Sequence, residues 1–237
     1  MPGLFEPLLL LPGTLCDARL WQPVLDRLRH PGARVPALRG ASTAPDMARL
    51  LLVSAPPRFA LAGFSLGAVV ALEMIAQAPG RVARLALVAG NARADEPDSS
   101  ARRRVLLQAA GRDGVRAVVE RDLWPSYVSE SSLCDAGLRA LVSGMAEDAG
   151  LAALEEQTEI AIHRADSRAR LPGITVPTLV VAGADDLVCP SGRGAEIAAA
   201  VPGSHFVQLP DAGHFVPLEA PDALAAALGA WLGGTDP

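Results

Sequence analysis

The chain contains no lysine, because all 21 of its basic residues are arginines. A Schiff-base lysine, a pyridoxal-phosphate anchor and the lysine of a phosphate-binding loop are therefore excluded. The formal net charge is −5, and the sequence lacks the positive excess that proteins need to bind nucleic acids or anionic membranes. We therefore expect a small molecule, and no nucleic acid, as the partner of this chain.

Cysteine is scarce as well, with three residues far apart in the sequence: Cys16, Cys134 and Cys189. Their odd number and the lack of C-x-x-C spacing predict three buried or semi-buried free thiols in a reducing compartment. The apolar run at residues 8–11 follows Glu6 and no basic residue, unlike a secretory signal, and we expect a cytoplasmic protein. The sequence has no H-E-x-x-H, no G-x-G-x-x-G and no Cys/His cluster, so we predict neither a metal ion nor a cofactor.

Long hydrophobic runs are limited to one nearly uncharged stretch, residues 59–76. It contains Gly63, Gly67 and Glu73, and its apolar pattern changes midway from strand-like to helix-like. A strand, a turn and a helix inside a core explain this pattern better than a bilayer span does. We therefore predict no membrane span, and a length of 237 residues allows one sizeable core.

Strand-like and helix-like stretches alternate over most of the chain. The predicted strands are residues 7–11, 34–38, 58–64, 85–89, 178–182 and 206–209. The predicted helices between and after them are residues 18–29, 46–54, 66–78, 193–200 and 221–232. This alternation is typical of an α/β fold with a mainly parallel sheet and helices on both faces.

The alternation stops between residues 92 and 169. Only helical stretches occur there, at residues 100–110, 114–121, 135–146 and 151–162. The segment is too long for a loop. We therefore predict a core of residues 1–91 and 170–237 and an inserted helical cap, or lid, of residues 92–169, called the cap segment below.

A G-x-S-x-G motif, centred on Ser65, lies between a predicted strand and a predicted helix. A nucleophile on a sharp strand-to-helix turn requires nearly side-chain-free neighbours, which Gly63 and Gly67 provide. The turn also places Ser65 at a helix N-terminus, where unpaired N–H groups favour developing negative charge. The alternative is a glycine-rich turn that only packs a helix against a strand.

A serine hydroxyl needs a base to act as a nucleophile at neutral pH. Of the four histidines, His214 lies between the last predicted strand and the last predicted helix. His30 ends a helix and His205 begins a strand, so we expect structural roles for these two. His163 ends a helix of the cap segment, and two positions stay open for it, facing the cavity or facing solvent. His214 is therefore the candidate base.

The base needs a carboxylate that orients it and stabilises its protonated form. The predicted strand at residues 178–182 runs into Asp185 and Asp186, and both are candidates. The order serine, aspartate, histidine along the chain is that of one triad fold and differs from the order in others.

Four ordered motifs make the chain resemble the α/β-hydrolase superfamily, within the small bacterial esterases and related enzymes that carry a helical cap. They are Pro12-Gly13-Thr14, residues 63–68, Gly183-x-x-Asp186-x-x-x-Pro190 and Gly213-His214. The resemblance covers nearly the whole chain outside the cap segment. It selects Asp186 over Asp185.

The resemblance also implies that the backbone N–H groups of Thr14 and Leu66 form the oxyanion hole. Trp21 stands where these proteins often carry a tryptophan. Pro12 replaces their usual histidine, a departure that concerns the shape of the loop more than the chemistry. A serine nucleophile is unlike the haloalkane dehalogenases of this superfamily, which use a carboxylate.

Three further expectations concern the cap segment. Trp124, Tyr127 and Met145 are candidates for an apolar acyl pocket. Arg164, Asp166 and Arg168 suit a salt-bridged hinge where the cap segment rejoins the sheet. The run at residues 102–104 is expected to be the solvated start of a helix.

The sequence therefore predicts a serine hydrolase that cleaves a small or medium carboxylic ester through an acyl-enzyme on Ser65. Three alternatives stay open: a carbon–carbon bond hydrolase, an acyltransferase, and a slow-turnover ligand receptor of the same fold. The identity of the substrate and the oligomeric state do not follow from the sequence.

Overall fold

The computed structural model describes residues 6–234. Residues 1–5 and 235–237, which include the ends of the predicted core, lie outside this range. The described chain contains one sheet of six parallel strands in the order β2-β1-β3-β4-β5-β6. The strands are β1 (Leu8–Leu11), β2 (Ala33–Arg34), β3 (Phe59–Phe64), β4 (Val82–Val88), β5 (Thr178–Gly183) and β6 (His205–Leu209). The predicted α/β architecture is confirmed.

Helices cover both faces of this sheet. Those that follow β1, β2 and β3 are α1 (Gln22–Leu28), α2 (Ala44–Ser54) and α3 (Leu66–Gln77). The carboxyl-terminal part adds α8 (Ser191–Ala200), α9 (Val216–Glu219) and α10 (Pro221–Gly233). Every residue of β1, β3 and β5 is buried, as expected of strands with helices on both sides.

The two faces of the sheet hold two separate hydrophobic clusters. Leu8 and Leu10 of β1 belong to one cluster, and Leu9 and Leu11 belong to the other, because successive side chains of a strand point to opposite faces. The first cluster also includes Val118 from the part of the chain predicted as a cap. The cap segment is therefore packed on a core that the sheet shares.

All regular elements between residues 92 and 167 are helical. They are α4 (Pro97–Asp113), α5 (Val115–Val118), a π-helical turn (Val119–Leu123), α6 (Trp124–Tyr127), a 3-10 turn (Glu130–Ser132) and α7 (Ala136–Ile162). The predicted break between two helices corresponds to Gly150, whose φ of 76° and ψ of 177° interrupt α7. That this segment is a distinct cap remains a prediction.

The strand predicted at residues 34–38 is wrong for most of its length. Strand β2 contains Ala33 and Arg34 alone and pairs with β1 at Leu8 and Leu9. Pro36 follows at once, and its missing N–H cannot extend the ladder. Within residues 6–234, no helix is long and apolar enough to cross a membrane.

Candidate active site

Ser65 stands between the end of β3 and the start of α3, in a left-handed conformation with φ 53° and ψ −113°. Its N–H donates to the carbonyl of Val88 at 2.9 Å, which fixes the turn on the neighbouring strand. A Cβ atom at Gly63 would lie closer than 3.0 Å to the backbone of Gly67. A Cβ atom at Gly67 would lie 2.5 Å from the carbonyl oxygen of Leu11. Both glycines of the motif are therefore required by close backbone approach.

His214 follows β6 and joins the serine to a carboxylate. Its Nε2 lies 2.9 Å from Oγ of Ser65, and its Nδ1 lies 2.8 Å from Oδ2 of Asp186. His214 and Asp186 are both buried. An ionised carboxylate only accepts hydrogen bonds, so Nδ1–H donates to Asp186 and Nε2 is free to accept the serine proton. These three side chains form one continuous hydrogen-bonded chain.

The two aspartates at the end of β5 differ in what they contact. The Oδ1 atom of Asp186 accepts hydrogen bonds from the N–H groups of Val188 at 2.8 Å and Cys189 at 2.7 Å. Its other oxygen is thereby directed at His214. Asp185 is exposed, and its N–H donates to the carbonyl of Ala212 at 3.0 Å. The geometry brings Asp186 to the histidine and leaves Asp185 in solvent.

The loop that carries His214 is held by close backbone contacts. A Cβ atom at Gly183, the last residue of β5, would lie within 3.0 Å of the carbonyl oxygens of Ala212 and Gly213. The carbonyl of Tyr127 accepts hydrogen bonds from the N–H groups of His214 at 3.0 Å and Phe215 at 3.1 Å. The histidine loop is therefore held between β5 and the end of α6.

Of the predicted oxyanion donors, Thr14 borders both cavities that contain Ser65, and Leu66 borders the smaller one. Leu66 is the first residue of α3, where an N–H group has no intrahelical acceptor. A Cβ atom at Gly13 would lie 2.7 Å from the ring of Phe64, so the loop that carries Thr14 packs tightly on the end of β3. The structure thus places both predicted donors beside Ser65.

Gln157 of α7 supports this loop, a role that was not predicted from the sequence. Its Oε1 accepts a hydrogen bond from the N–H of Leu15 at 2.8 Å, and its Nε2 donates to the carbonyl of Leu38 at 3.0 Å. Leu15 has a left-handed φ of 58°. The available signal was a glutamine on the same helix face as Leu154 and Ala161, one turn away on either side.

Two adjacent cavities, of about 110 Å³ and about 60 Å³, meet at Ser65 and His214. The apolar wall of the larger cavity comes mainly from the cap segment: Leu106, Val115, Val118, Val119, Leu123 and Leu154. Tyr127 also lines this cavity, and burial raises the pKa of its phenol, which therefore stays protonated.

Trp124 and Met145 do not line either of these two cavities. The indole N–H of Trp124 donates to the carbonyl of Leu133 at 3.1 Å, which turns the buried ring into the cap segment. Met145 is buried and borders a separate cavity beside Cys16 and Leu38. Two of the three predicted pocket residues are therefore core residues, because a buried face of a cap helix need not be the face that borders the site.

The expectation that residues 102–104 are only a solvated helix start is wrong for Arg103, which borders both cavities. The predicted salt bridge at the end of the cap segment exists in two parts. Asp166 pairs with Arg168 at 2.5 Å on the surface. Arg164 is partly buried, pairs with Asp95 at 2.8 Å and borders the smaller cavity.

Within the described residues, no group of three or more His, Cys, Asp or Glu side chains is arranged to hold a metal ion. Burial raises the pKa values of the Cys16 and Cys189 thiols to about 12. Both groups therefore stay protonated near neutral pH.

Residues 8–227 match the model of the alpha/beta hydrolase family. A protein of Variovorax paradoxus named "Putative carbamate hydrolase RutD" is 33% identical over 233 residues, which cover 88% of this chain and 85% of the relative. A protein of Azorhizobium caulinodans with the same name is 27% identical over 257 residues, which cover 99% of this chain and 94% of the relative.

Two solved structures are also similar to this chain over most of its length. A thermophilic esterase from Thermogutta terrifontis superposes with a TM-score of 0.85 at 26% identity, covering 97% of this chain and 90% of the esterase. The enol-lactonase from Burkholderia xenovorans has a TM-score of 0.83 at 23% identity, covering 96% of this chain and 92% of the lactonase. The similarity to the lactonase shows a shared fold alone.

Proposed function

Since the chain belongs to the alpha/beta hydrolase family and is a hydrolase, we propose that it cleaves small or medium carboxylic esters through an acyl-enzyme on Ser65. The observation that carries this proposal is the hydrogen-bonded chain from Ser65 through His214 to Asp186, with distances of 2.9 Å and 2.8 Å. It supplies a nucleophile, a base and an orienting carboxylate in one buried arrangement.

In the first half of the proposed reaction, His214 takes the hydroxyl proton of Ser65 as the oxygen attacks the ester carbonyl. The N–H groups of Thr14 and Leu66 donate to the resulting oxyanion. Asp186 accepts from the Nδ1–H of His214 and stabilises the imidazolium. The imidazolium then gives its proton to the leaving alcohol, and the acyl group remains on Ser65.

In the second half, water enters and His214 removes one of its protons. The hydroxide adds to the acyl carbonyl, and the oxyanion is again held by the two backbone N–H groups. Collapse returns the proton from His214 to Ser65 and releases the carboxylic acid. Small cavities next to Ser65 favour a short acyl group, and the apolar wall from the cap segment favours a hydrocarbon chain.

Carbamate hydrolysis is the second candidate, because two relatives that match most of this chain carry that name. A carbamate presents a carbonyl to the same nucleophile and the same oxyanion donors. The two candidates therefore differ in the substrate and not in the machinery.

A chain-length series of p-nitrophenyl esters, run beside an alkyl carbamate, tests both candidates with wild type and Ser65→Ala. We expect ester turnover with a short-chain optimum in the wild type and a loss of at least about 10⁴-fold in kcat in the variant. Ser131→Ala, an exposed serine in the cap segment, is the matched control and should keep wild-type rates. Faster turnover of the carbamate than of the esters would favour carbamate hydrolysis. Unchanged rates in Ser65→Ala would refute both.

A further inference from the structure

The charged side chains that border the two cavities are basic. They are Arg103, which borders both cavities, and Arg164, which borders the smaller one. No Asp or Glu of residues 6–234 is among the residues that line either cavity. Because the whole chain carries a net charge of −5, this local positive charge does not follow from the overall composition.

The two arginines share one carboxylate behind the cavity wall. Nε of Arg103 lies 3.3 Å from Oδ2 of Asp95, and Nη1 of Arg164 lies 2.8 Å from Oδ1 of the same group. The hydroxyl of Ser100 also donates to Asp95, at 2.8 Å. A single carboxylate is therefore shared by two guanidinium groups.

The donors of the two guanidinium groups are used differently. Arg164 donates through Nε to the carbonyl of Arg93 at 2.8 Å and through Nη1 to the carbonyl of Ala161 at 2.9 Å, so it is tied into the protein. Arg103 is held at Nε by Asp95. In the part of the chain that the structure describes, its Nη1 and Nη2 groups are assigned no protein acceptor. Arg103 itself borders the space next to the nucleophile.

We propose that Arg103 is an anion-binding residue and that the substrate of the Ser65 site is an ester whose acyl part carries a second, ionised carboxylate. This assignment rests on the proposed function. A guanidinium held at Nε presents its two terminal amino groups to both oxygens of a carboxylate. The apolar wall of the larger cavity holds the short carbon chain between the ester carbonyl and that carboxylate. Monoesters of short dicarboxylic acids have this arrangement.

The test compares two esters of nearly equal shape, monoethyl succinate and ethyl 4-methylpentanoate. The first carries a carboxylate where the second carries an isopropyl group. Ethanol release gives kcat/KM for each. We expect wild type to favour the anionic ester by about tenfold or more, the worth of a hydrogen bond to a charged group. In Arg103→Met, the ratio of the two kcat/KM values should fall by about the same factor. Arg103→Lys, which keeps the charge, should retain part of the preference.

The matched control is Arg102→Met on the same helix. Arg102 is exposed and lines neither cavity, so this variant removes the same charge while the ratio stays at the wild-type value. Melting temperatures compare the folding of all variants. If Arg103→Met does not fold, wild type and Arg103→Lys are compared instead. The measurement is then the competitive inhibition of p-nitrophenyl acetate hydrolysis by succinate, and inhibition is expected.

Equal wild-type kcat/KM values for the two ethyl esters would overturn the anion subsite while leaving the esterase intact. Equal losses on both esters in Arg103→Met would also overturn it, because they would show that Arg103 only supports the fold of the cap segment. Absence of turnover on every ester, with Ser65 unlabelled by a fluorophosphonate probe, would instead overturn the proposed function and this inference with it.

Discussion

Two regions approach the same cavity by different kinds of contact. One consists of the loops at the carboxyl ends of β1, β3, β5 and β6 together with the first turn of α3, called the strand-end loops below. The other is the cap segment. The loops are held by backbone against backbone, as at Gly67, where a Cβ atom would lie 2.5 Å from a carbonyl oxygen. Helices α4 and α7 of the cap segment reach the site with side chains, among them Arg103 and Gln157. The backbone contact of Tyr127 with the histidine loop is where the two regions meet.

From this difference we expect the strand-end loops to set the catalytic geometry and the cap segment to set the substrate selectivity. Backbone contacts leave almost no alternative geometry, and the hydrogen-bonded chain of Ser65, His214 and Asp186 depends on such geometry. Side-chain contacts can be changed one residue at a time without altering the backbone around the nucleophile. We therefore expect changes in the strand-end loops to abolish activity or folding, and changes in the cap segment to alter rates and substrate preference.

The largest expected effect concerns the two aspartates after β5. Asp186→Asn should lower kcat by about 10³- to 10⁴-fold, because an amide no longer fixes the tautomer of His214 or stabilises its protonated form. Asp185→Asn, one residue away and exposed, should change kcat by less than about threefold. Steady-state kinetics on one p-nitrophenyl ester compares the two. The reverse order would mean that the structure joins the wrong carboxylate to the histidine.

The second effect compares glycines of the two regions. Gly67→Ala should destabilise the protein by about 3 kcal/mol, because its methyl group would meet the carbonyl of Leu11 at 2.5 Å. Gly111→Ala in helix α4 should instead stabilise the protein by about 0.5 to 1 kcal/mol, since its methyl group meets only a side-chain atom of Leu151 at 3.9 Å. Urea unfolding of both variants measures the difference. Equal stabilities would remove the contrast between the two regions.

The same contrast explains how much of the molecule could be predicted from the sequence. Ser65 and His214 stand in short motifs whose glycines are demanded by backbone geometry, and such requirements appear in sequence as residue types at fixed spacing. The sheet followed from runs of buried strand residues and their alternation with helices. Asp186 was selected over Asp185 by resemblance, and the distance of 2.8 Å to His214 agrees with that selection.

The wall of the cavity did not follow from the sequence. Met145 and Leu154 both lie on buried faces of α7, yet only Leu154 borders the cavity with Ser65. Helical periodicity tells that a face is buried but not what it is buried against. Arg103 was hidden for a related reason: three consecutive arginines look alike in sequence, whereas the helix directs one of them at the site.

A third, smaller effect tests the hold of the cap segment on the loop of Thr14. Gln157→Leu should lower kcat by about tenfold, because the N–H of Leu15 loses its acceptor and the loop loses its position. Gln108→Leu, an exposed glutamine of α4, should keep wild-type kcat. Since Gln157 holds the loop and also borders the larger cavity, kcat should fall by a larger factor than KM rises. Equal kcat values in the two variants would show that the loop does not depend on α7.

The smallest effect concerns the thiols, where we expect modification of the cap segment to leave activity intact. The expectation of a buried or semi-buried thiol is wrong for Cys134, which is exposed. Cys189 is buried next to Asp186, and burial raises the pKa of its thiol to about 12. At pH 8 Cys189 is therefore a protonated, shielded thiol, and its reactive thiolate forms only as the pH approaches that value. Iodoacetamide at pH 8 should label Cys134, as mass spectrometry of digests would show, with ester hydrolysis unchanged. Labelling of Cys189 with loss of activity would mean that the loop with Asp186 and Cys189 opens in solution. That loop would then be held no more tightly than the helices of the cap segment.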